Sequence, residues 1–246
     1  MSGRLLVTLA PGALPGLEAA LADTHLTIRR QPLLVHSPIV PNAALDAALG
    51  AGARWGALVV TSPRAATLLA AVRRDTHSMP PIWAVGEASA RPLRDAGWSV
   101  QTGPGGSEME GAAEALAGAM VTAMVRGPVL FLAGDPHRPD LVARLADAGI
   151  AVTTVPVYRT EVVPDVELLA ALDRADLMLV ASPALVSALA AQGEAALHPG
   201  YVAIGATTAA HGRAVGLPPV TVADHPSTDA VALAVRRAAR TLALGS

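Results

Sequence analysis

The sequence predicts an α/β protein: two similar lobes, each a doubly wound parallel sheet. Three observations carry this. Short, wholly apolar runs are bounded by turn residues, helical stretches rich in Ala, Leu and Arg lie between them, and segments recur about 120 residues apart. The apolar runs span residues 5–9, 57–61, 82–85, 129–132, 177–181 and 201–204. Continuous rather than alternating hydrophobicity is what strands covered on both faces require. Residues 17–22, 64–74 and 140–147 carry helical composition between them.

The repetition is ordered. Val60-Thr61-Ser62-Pro63 returns as Val180-Ala181-Ser182-Pro183, and the glycine-containing stretch 84–90 returns as 203–209. Gly97 pairs with Gly216, Leu21-Ala22-Asp23 with Leu145-Ala146-Asp147, and Pro32 with Pro156. The period far exceeds that of solenoid repeats, so one α/β unit was duplicated. Repetition alone leaves two arrangements open. The lobes run in sequence, near 1–125 and 126–246, or they interleave, with crossings at 33–38 and 155–160.

Composition excludes much chemistry. All 18 basic residues are arginine, and the chain has neither lysine nor cysteine. This removes disulfides, thiolate nucleophiles, cysteine-bound metals, lysine Schiff bases and the lysine-dependent phosphate loop. A net charge of −2 and 2% aromatic residues argue against nucleic acid as a partner. No apolar run reaches the roughly 20 residues of a membrane-spanning helix, and no export-type apolar segment opens the chain. The expected setting is the cytoplasm, without a membrane partner.

Candidate site residues cluster where strands end. Ser62-Pro63 and Ser182-Pro183 each follow a strand and precede a helix. A serine cap with proline at the first helical position accounts for each turn. The same geometry in both halves also suits anion binding at helix starts. Gly86 and Gly205 end strands ahead of hydroxyl residues, Ser89 in one half and Thr207 and Thr208 in the other. Glycine there permits a close backbone approach or positive φ, with Ser89 or Thr207 as cap. Gly103-Pro104-Gly105-Gly106-Ser107 lacks lysine and reads as a connector. Arg64, Arg138 and Arg213 are read as lying just after strand ends, where a guanidinium can meet carboxylates. Tyr158, one of two tyrosines, sits in the possible crossing Val155-Pro156-Val157-Tyr158-Arg159-Thr160. A phenol stays protonated at neutral pH and can give a proton or a hydrogen bond. The seven histidines lack metal-site spacing and read as surface or loop residues.

Taken together, these blocks resemble the uroporphyrinogen-III synthase family. The resemblance is carried by Val60-Thr61-Ser62-Pro63-Arg64-Ala65, the stretch 84–90, Val157-Tyr158-Arg159-Thr160, Ser182-Pro183, the stretch 203–210, and His225-Pro226-Ser227-Thr228. It covers nearly the whole chain in the expected order. Three positions depart from the pattern. Leu9 stands where relatives often have arginine, Ala181 stands where the other repeat has Thr61, and Ser89 replaces a frequent threonine.

The resemblance implies the interleaved arrangement, with residues 1–36 and 162–246 as the first lobe, 37–161 inserted as the second, and a two-segment hinge. It implies an enzyme that needs no cofactor or metal; the expected site is the cleft between the lobes, and the expected state is a monomer. The implied substrate is hydroxymethylbilane, closed to uroporphyrinogen III with inversion of the last pyrrole ring and loss of water. Tyr158 is the catalytic candidate. Thr61, Ser62, Arg64, Gly86, Ser89, Arg138, Ser182, Gly205, Thr207 and Thr208 are the expected substrate contacts. A non-catalytic two-lobed binder of a small polyanion is the alternative.

Overall fold

A computed structural model describes residues 3–50, 54–72, 79–103, 112–196 and 198–242. The chain divides into two compact units, residues 1–35 with 161–246, and residues 36–160. The opening segment holds β1 (Arg4–Val7), α1 (Leu17–Ala20), β2 (Thr27–Arg30) and β3 (Leu34–Pro38), which enters the second unit. The middle segment continues with α2 (Ala43–Ala48), β4 (Ala57–Val60), α3 (Pro63–Ala70), β5 (Ile82–Ala84), α4 (Glu87–Asp95), β6 (Val100–Thr102), α5 (Ala112–Thr122), β7 (Val129–Asp135), α6 (Asp140–Asp147) and β8 (Val152–Val162). The closing segment adds α7 (Asp165–Leu172), β9 (Leu177–Val180), α8 (Pro183–Ala191), β10 (Gly200–Ala203), α9 (Ala206–Ala214), β11 (Thr221–Val222) and α10 (Thr228–Thr241).

The unit of residues 1–35 and 161–246 is a parallel sheet in the order β11-β10-β9-β1-β2. Side chains alternate along each strand, so a run apolar at every position feeds two cores. Leu177 and Leu179 pack with α1 and α10 through Leu17, Val231 and Val235. Met178 and Val180 pack on the opposite face with α7, α8 and α9 through Leu168, Leu185 and Ala209. Each fully buried leucine or valine contributes about 1.5–3 kcal/mol relative to exposure. At the amino-terminal ends of β1 and β9, Arg4 grips Asp176, its Nε and Nη2 donating at 3.0 and 2.8 Å.

The unit of residues 36–160 has the order β3-β8-β7-β4-β5-β6. From β8 to β6 the strands are parallel. β3 runs antiparallel to β8: the Ile39 N–H donates to Val157 O, and the Val163 N–H to Leu33 O, each at 3.0 Å. Leu58, Val60 and Leu130 face α3 and α4. Val59, Trp83 and Phe131 face α5 and α6.

The six expected strands are present, most ending a residue or two early, while β7 extends to Asp135. Residues 140–147 form α6 as expected. The expected helix at 17–22 is one α-turn followed by a tighter turn, Ala22–Thr24, because Leu21 leaves helical geometry with φ −110°. The helix expected at 64–74 runs over Pro63–Ala70, and residues 73 and 74 lie outside the described residues. So do residues 104–107 of the glycine-rich connector.

Close packing makes one glycine testable. A Cβ on Gly212 would overlap the Tyr201 hydroxyl and lie 2.6 Å from Leu217 O. That hydroxyl donates to the same carbonyl at 2.9 Å. Gly212→Ala is expected to destabilise the chain by about 1–3 kcal/mol, read by urea unfolding. Burial pushes the Tyr201 phenol up, with Arg213's charge opposing. Its stabilisation is therefore present below the ordinary tyrosine range and is lost as pH rises through the raised folded value.

Candidate active site

In the 36–160 unit, β4 leads into α3 on one face of the sheet, while β7, its neighbour, leads into α6 on the other. Adjacent strands whose connections diverge leave a crevice beyond their carboxyl ends, the usual ligand position in such sheets. A hollow of about 300 Å³ lies there. Thr61 and Ser62 line it from the end of β4, Gly134 from β7, Arg138 and Asp140 from the turn into α6, and Tyr158 from β8.

Ser62 caps α3, its Oγ accepting from the Ala65 N–H at 3.1 Å, with Pro63 following. Because the cap uses a lone pair, the hydroxyl proton remains available to a ligand. His137 also lines the hollow and sets its ring edge-on to Phe131, centroids 5.6 Å apart. Asp135, the last residue of β7, and Arg159, its partner on β8, form an exposed ion pair at 3.5 Å.

Tyr158 owes its place to a break in register. Ala133 pairs with Pro156, but Gly134 pairs with Tyr158, so β8 carries one extra residue. Such a bulge re-aims the side chains that follow it. The phenol then lies across Gly134: a Cβ there would be 2.5 Å from Tyr158 Cζ and 2.7 Å from its oxygen. On another side stands His36, its ring edge-on to the phenol with centroids 6.1 Å apart. His36 Nδ1 meets Thr160 Oγ1 at 3.0 Å. Burial, and secondarily Arg64's charge, hold His36 below the ordinary histidine value. Tyr158 also borders a second, more apolar groove of about 560 Å³, lined by His36, Pro38, Pro63, Arg64, Thr67 and Leu68.

The glycine–hydroxyl turns depart from expectation. Gly86 and Gly205 occupy the cap positions of α4 and α9 themselves, displacing Ser89 and Thr207 from that role. Their φ angles are −177° and −174°, extended rather than positive. A cap residue takes extended geometry, so no glycine-specific backbone is needed. A Cβ on Gly205 would meet nothing within 4 Å.

Ser89 is fully buried, and Thr208 is 3% exposed. Both sit in the first turn of their helix, and the Ser89 hydroxyl is closed off from solvent. The buried Ser89 Oγ has no hydrogen-bond partner among the described residues. Thr207, one residue earlier in the turn, is exposed. Ser182 stands at the cap position of α8 but makes no side-chain cap bond, unlike Ser62. Arg213 lies in the last turn of α9, not after a strand end.

Sequence reading missed four contributors to this site: Gly134, His36, Thr160 and His137. Only the pairing register and the ring contacts reveal the first three. His137 had a legible signal, since it adjoins Arg138 after a strand end.

No group of three or more His, Asp or Glu suited to a metal occurs among the described residues. None of their helices is long and apolar enough to cross a membrane.

Hydroxyl and guanidinium donors around a phenol, at a sheet's switch point, give this α/β protein a crevice whose chemistry suits a small acidic molecule. The family model for "Uroporphyrinogen-III synthase HemD" matches residues 17–232, and the chain belongs to that family. It is a cofactor-independent lyase of tetrapyrrole biosynthesis, acting on a small tetrapyrrole. Two solved structures share the fold. A mutant uroporphyrinogen III synthase from the extremely thermophilic bacterium Thermus thermophilus is 19% identical, with 98% of this chain and 100% of that chain covered and a TM-score of 0.61. The uroporphyrinogen-III synthetase of Helicobacter pylori 26695 is 17% identical, covering 94% and 96%, with a TM-score of 0.62. Comparison with curated proteins found no match.

Gly134→Ala is expected to push the phenol off its seat. With Tyr158 as the candidate catalytic group, turnover should fall about ten- to hundredfold, since small misplacement of such a group is costly. Steady-state kinetics beside a thermal melt would separate this from unfolding.

Proposed function

We propose that the chain closes hydroxymethylbilane to uroporphyrinogen III, inverting the last pyrrole ring and releasing water, with Tyr158 as proton donor. The match over residues 17–232 supports the reaction. The placement of Tyr158 on the wall of both the hollow and the groove supports its role.

The chemistry asks for control more than for power. As the carbon–oxygen bond of the terminal hydroxymethyl group breaks, Tyr158 protonates the departing oxygen, which leaves as water. The resulting azafulvene cation is attacked by the substituted carbon of the last ring, giving a spiro intermediate. Fragmentation and reclosure at that ring's other carbon complete the inversion. The final loss of a proton from the pyrrole returns the one Tyr158 gave. Left alone, the same chain closes without rearrangement to the type I ring, so the protein must hold the ends in the less accessible geometry.

Carboxylates of the substrate need donors. In the 36–160 unit we assign this to Thr61, Ser62, Arg64, Arg138 and the amides that follow Gly86. In the other unit Ser182, Thr207 and the amides that follow Gly205 are the counterparts. Ser89 and Thr208, being buried, are assigned to packing beneath those amides. We further take the protein to work as a monomer in the cytoplasm; sedimentation of the free protein checks the first point. A purely binding role has no support beside membership of a synthase family.

Supplying hydroxymethylbilane and separating the oxidised products tests the reaction: type III is expected, and type I alone would contradict it. Tyr158→Phe should lower turnover several-fold or more with an unchanged melt. The two serines should differ. Ser62→Ala should cost about 0.5–2 kcal/mol in stability through the lost cap. Ser182→Ala, with no cap bond to lose, should leave the melting temperature in place and weaken product binding only partly, as titration would show.

A further inference from the structure

His36 is a residue that the mechanism above does not use. Its location is specific. The two main-chain bonds between β3 and β8 fix a register that sets His36 opposite Thr160. Directly opposed residues on antiparallel strands direct their side chains to the same face, and residues two apart share it. His36, Thr160 and Tyr158 therefore form one surface cluster. The hydrogen bond from His36 Nδ1 to Thr160 Oγ1, 3.0 Å, and the edge contact with the phenol at 76° follow from that pairing.

We propose that His36 is a positioning residue for Tyr158, an imidazole wall, anchored by Thr160, that holds the phenol on Gly134. This rests on the reading of Tyr158 as the proton donor. The phenol has two hard boundaries: the bare backbone of Gly134 on one side and the imidazole edge on another. An unanchored imidazole would swing about its side-chain torsions and release the ring. The bond to Thr160 removes that freedom.

The cluster also sets a pH condition. The groups facing His36 are Thr160 and Tyr158 on β8, Pro38 on its own strand, and Pro63, Arg64, Thr67 and Leu68 of α3. Among the described residues lining that groove the one charge is Arg64's, and there is no carboxylate. A proton on His36 would have no counter-charge. Partial burial and Arg64 together favour the neutral ring. As pH falls below the ordinary histidine range, protonation sets a cation beside the phenol and Arg64, and the wall is disrupted.

The test is a double-mutant comparison in the full-length protein with hydroxymethylbilane as substrate. His36→Ala should lower kcat about tenfold with KM nearly unchanged, since only orientation is lost. In the Tyr158→Phe background the same change should cost less than about twofold, because no hydroxyl remains to be placed. His36→Phe keeps the aromatic edge without a titrating group. Lacking the bond to Thr160, it should recover only part of kcat at neutral pH, and it should abolish the acid fall-off of the wild type. Equal losses from His36→Ala in both backgrounds, or an acid limb that survives in His36→Phe, would overturn the proposal. Should His36→Ala fail to fold, Thr160→Val removes the anchor alone, and an unchanged kcat there overturns it too. If Tyr158→Phe itself keeps full turnover, both the proton-donor reading and this inference fall. A fall in Tyr158→Phe with none in His36→Ala removes this inference only.

Discussion

The site depends on one packing constraint: an aromatic ring laid against a residue without a side chain. Gly134 and Tyr158 are paired across β7 and β8 just where the register slips by one. Past the slip the phenol lies over Gly134, and the missing Cβ leaves room for it there. A Leu- or Val-sized residue at 134 would fill the space where the ring now lies. The sheet below supplies the rigidity. Leu130, Leu132, Val155 and Val157 pack into a buried core on one face, and Phe131 and Ala133 into another on the opposite face, so the two strands cannot shift independently.

Electrostatics follow from this arrangement. The chain is almost neutral overall, yet its proposed substrate carries many carboxylates, so no long-range field gathers the ligand. Donors must act locally, as helix-start amides, hydroxyls and a few guanidiniums. Directional donors of this kind fix orientation, which is what selecting one of two ring closures demands. The apolar side of the groove, Leu68 with Pro38 and Pro63, offers surface for pyrrole faces.

Much of the fold was legible because central strands buried on both faces leave an unmistakable signature. Residues such as Ala57 to Val60 are all fully buried and apolar, and the duplicated blocks marked equivalent corners. Edge strands left weaker traces. Thr27–Arg30 alternates in exposure, and Thr221–Val222 is two residues long; neither makes an apolar run. The corners themselves were readable as corners, but not in detail. Sequence spacing placed Ser89 and Thr208 in the right helical turn without saying that this position faces inward. Equally, Ser62 and Ser182 look identical in sequence, yet only the first turns its hydroxyl back to cap its helix. The pairing of Gly134 with Tyr158, and of His36 with Thr160, is set by strand register between segments far apart in the chain, which no local pattern records.

The central claim is that the phenol oxygen of Tyr158 meets the leaving hydroxyl of a linear tetrapyrrole. A crystal structure of the protein holding an unreactive linear tetrapyrrole that keeps its terminal hydroxymethyl group would measure this directly. The account predicts that hydroxyl within hydrogen-bonding reach of the phenol, about 3 Å, with the ring still seated on Gly134. A terminal hydroxyl far from Tyr158, or a phenol turned away from it, would contradict it.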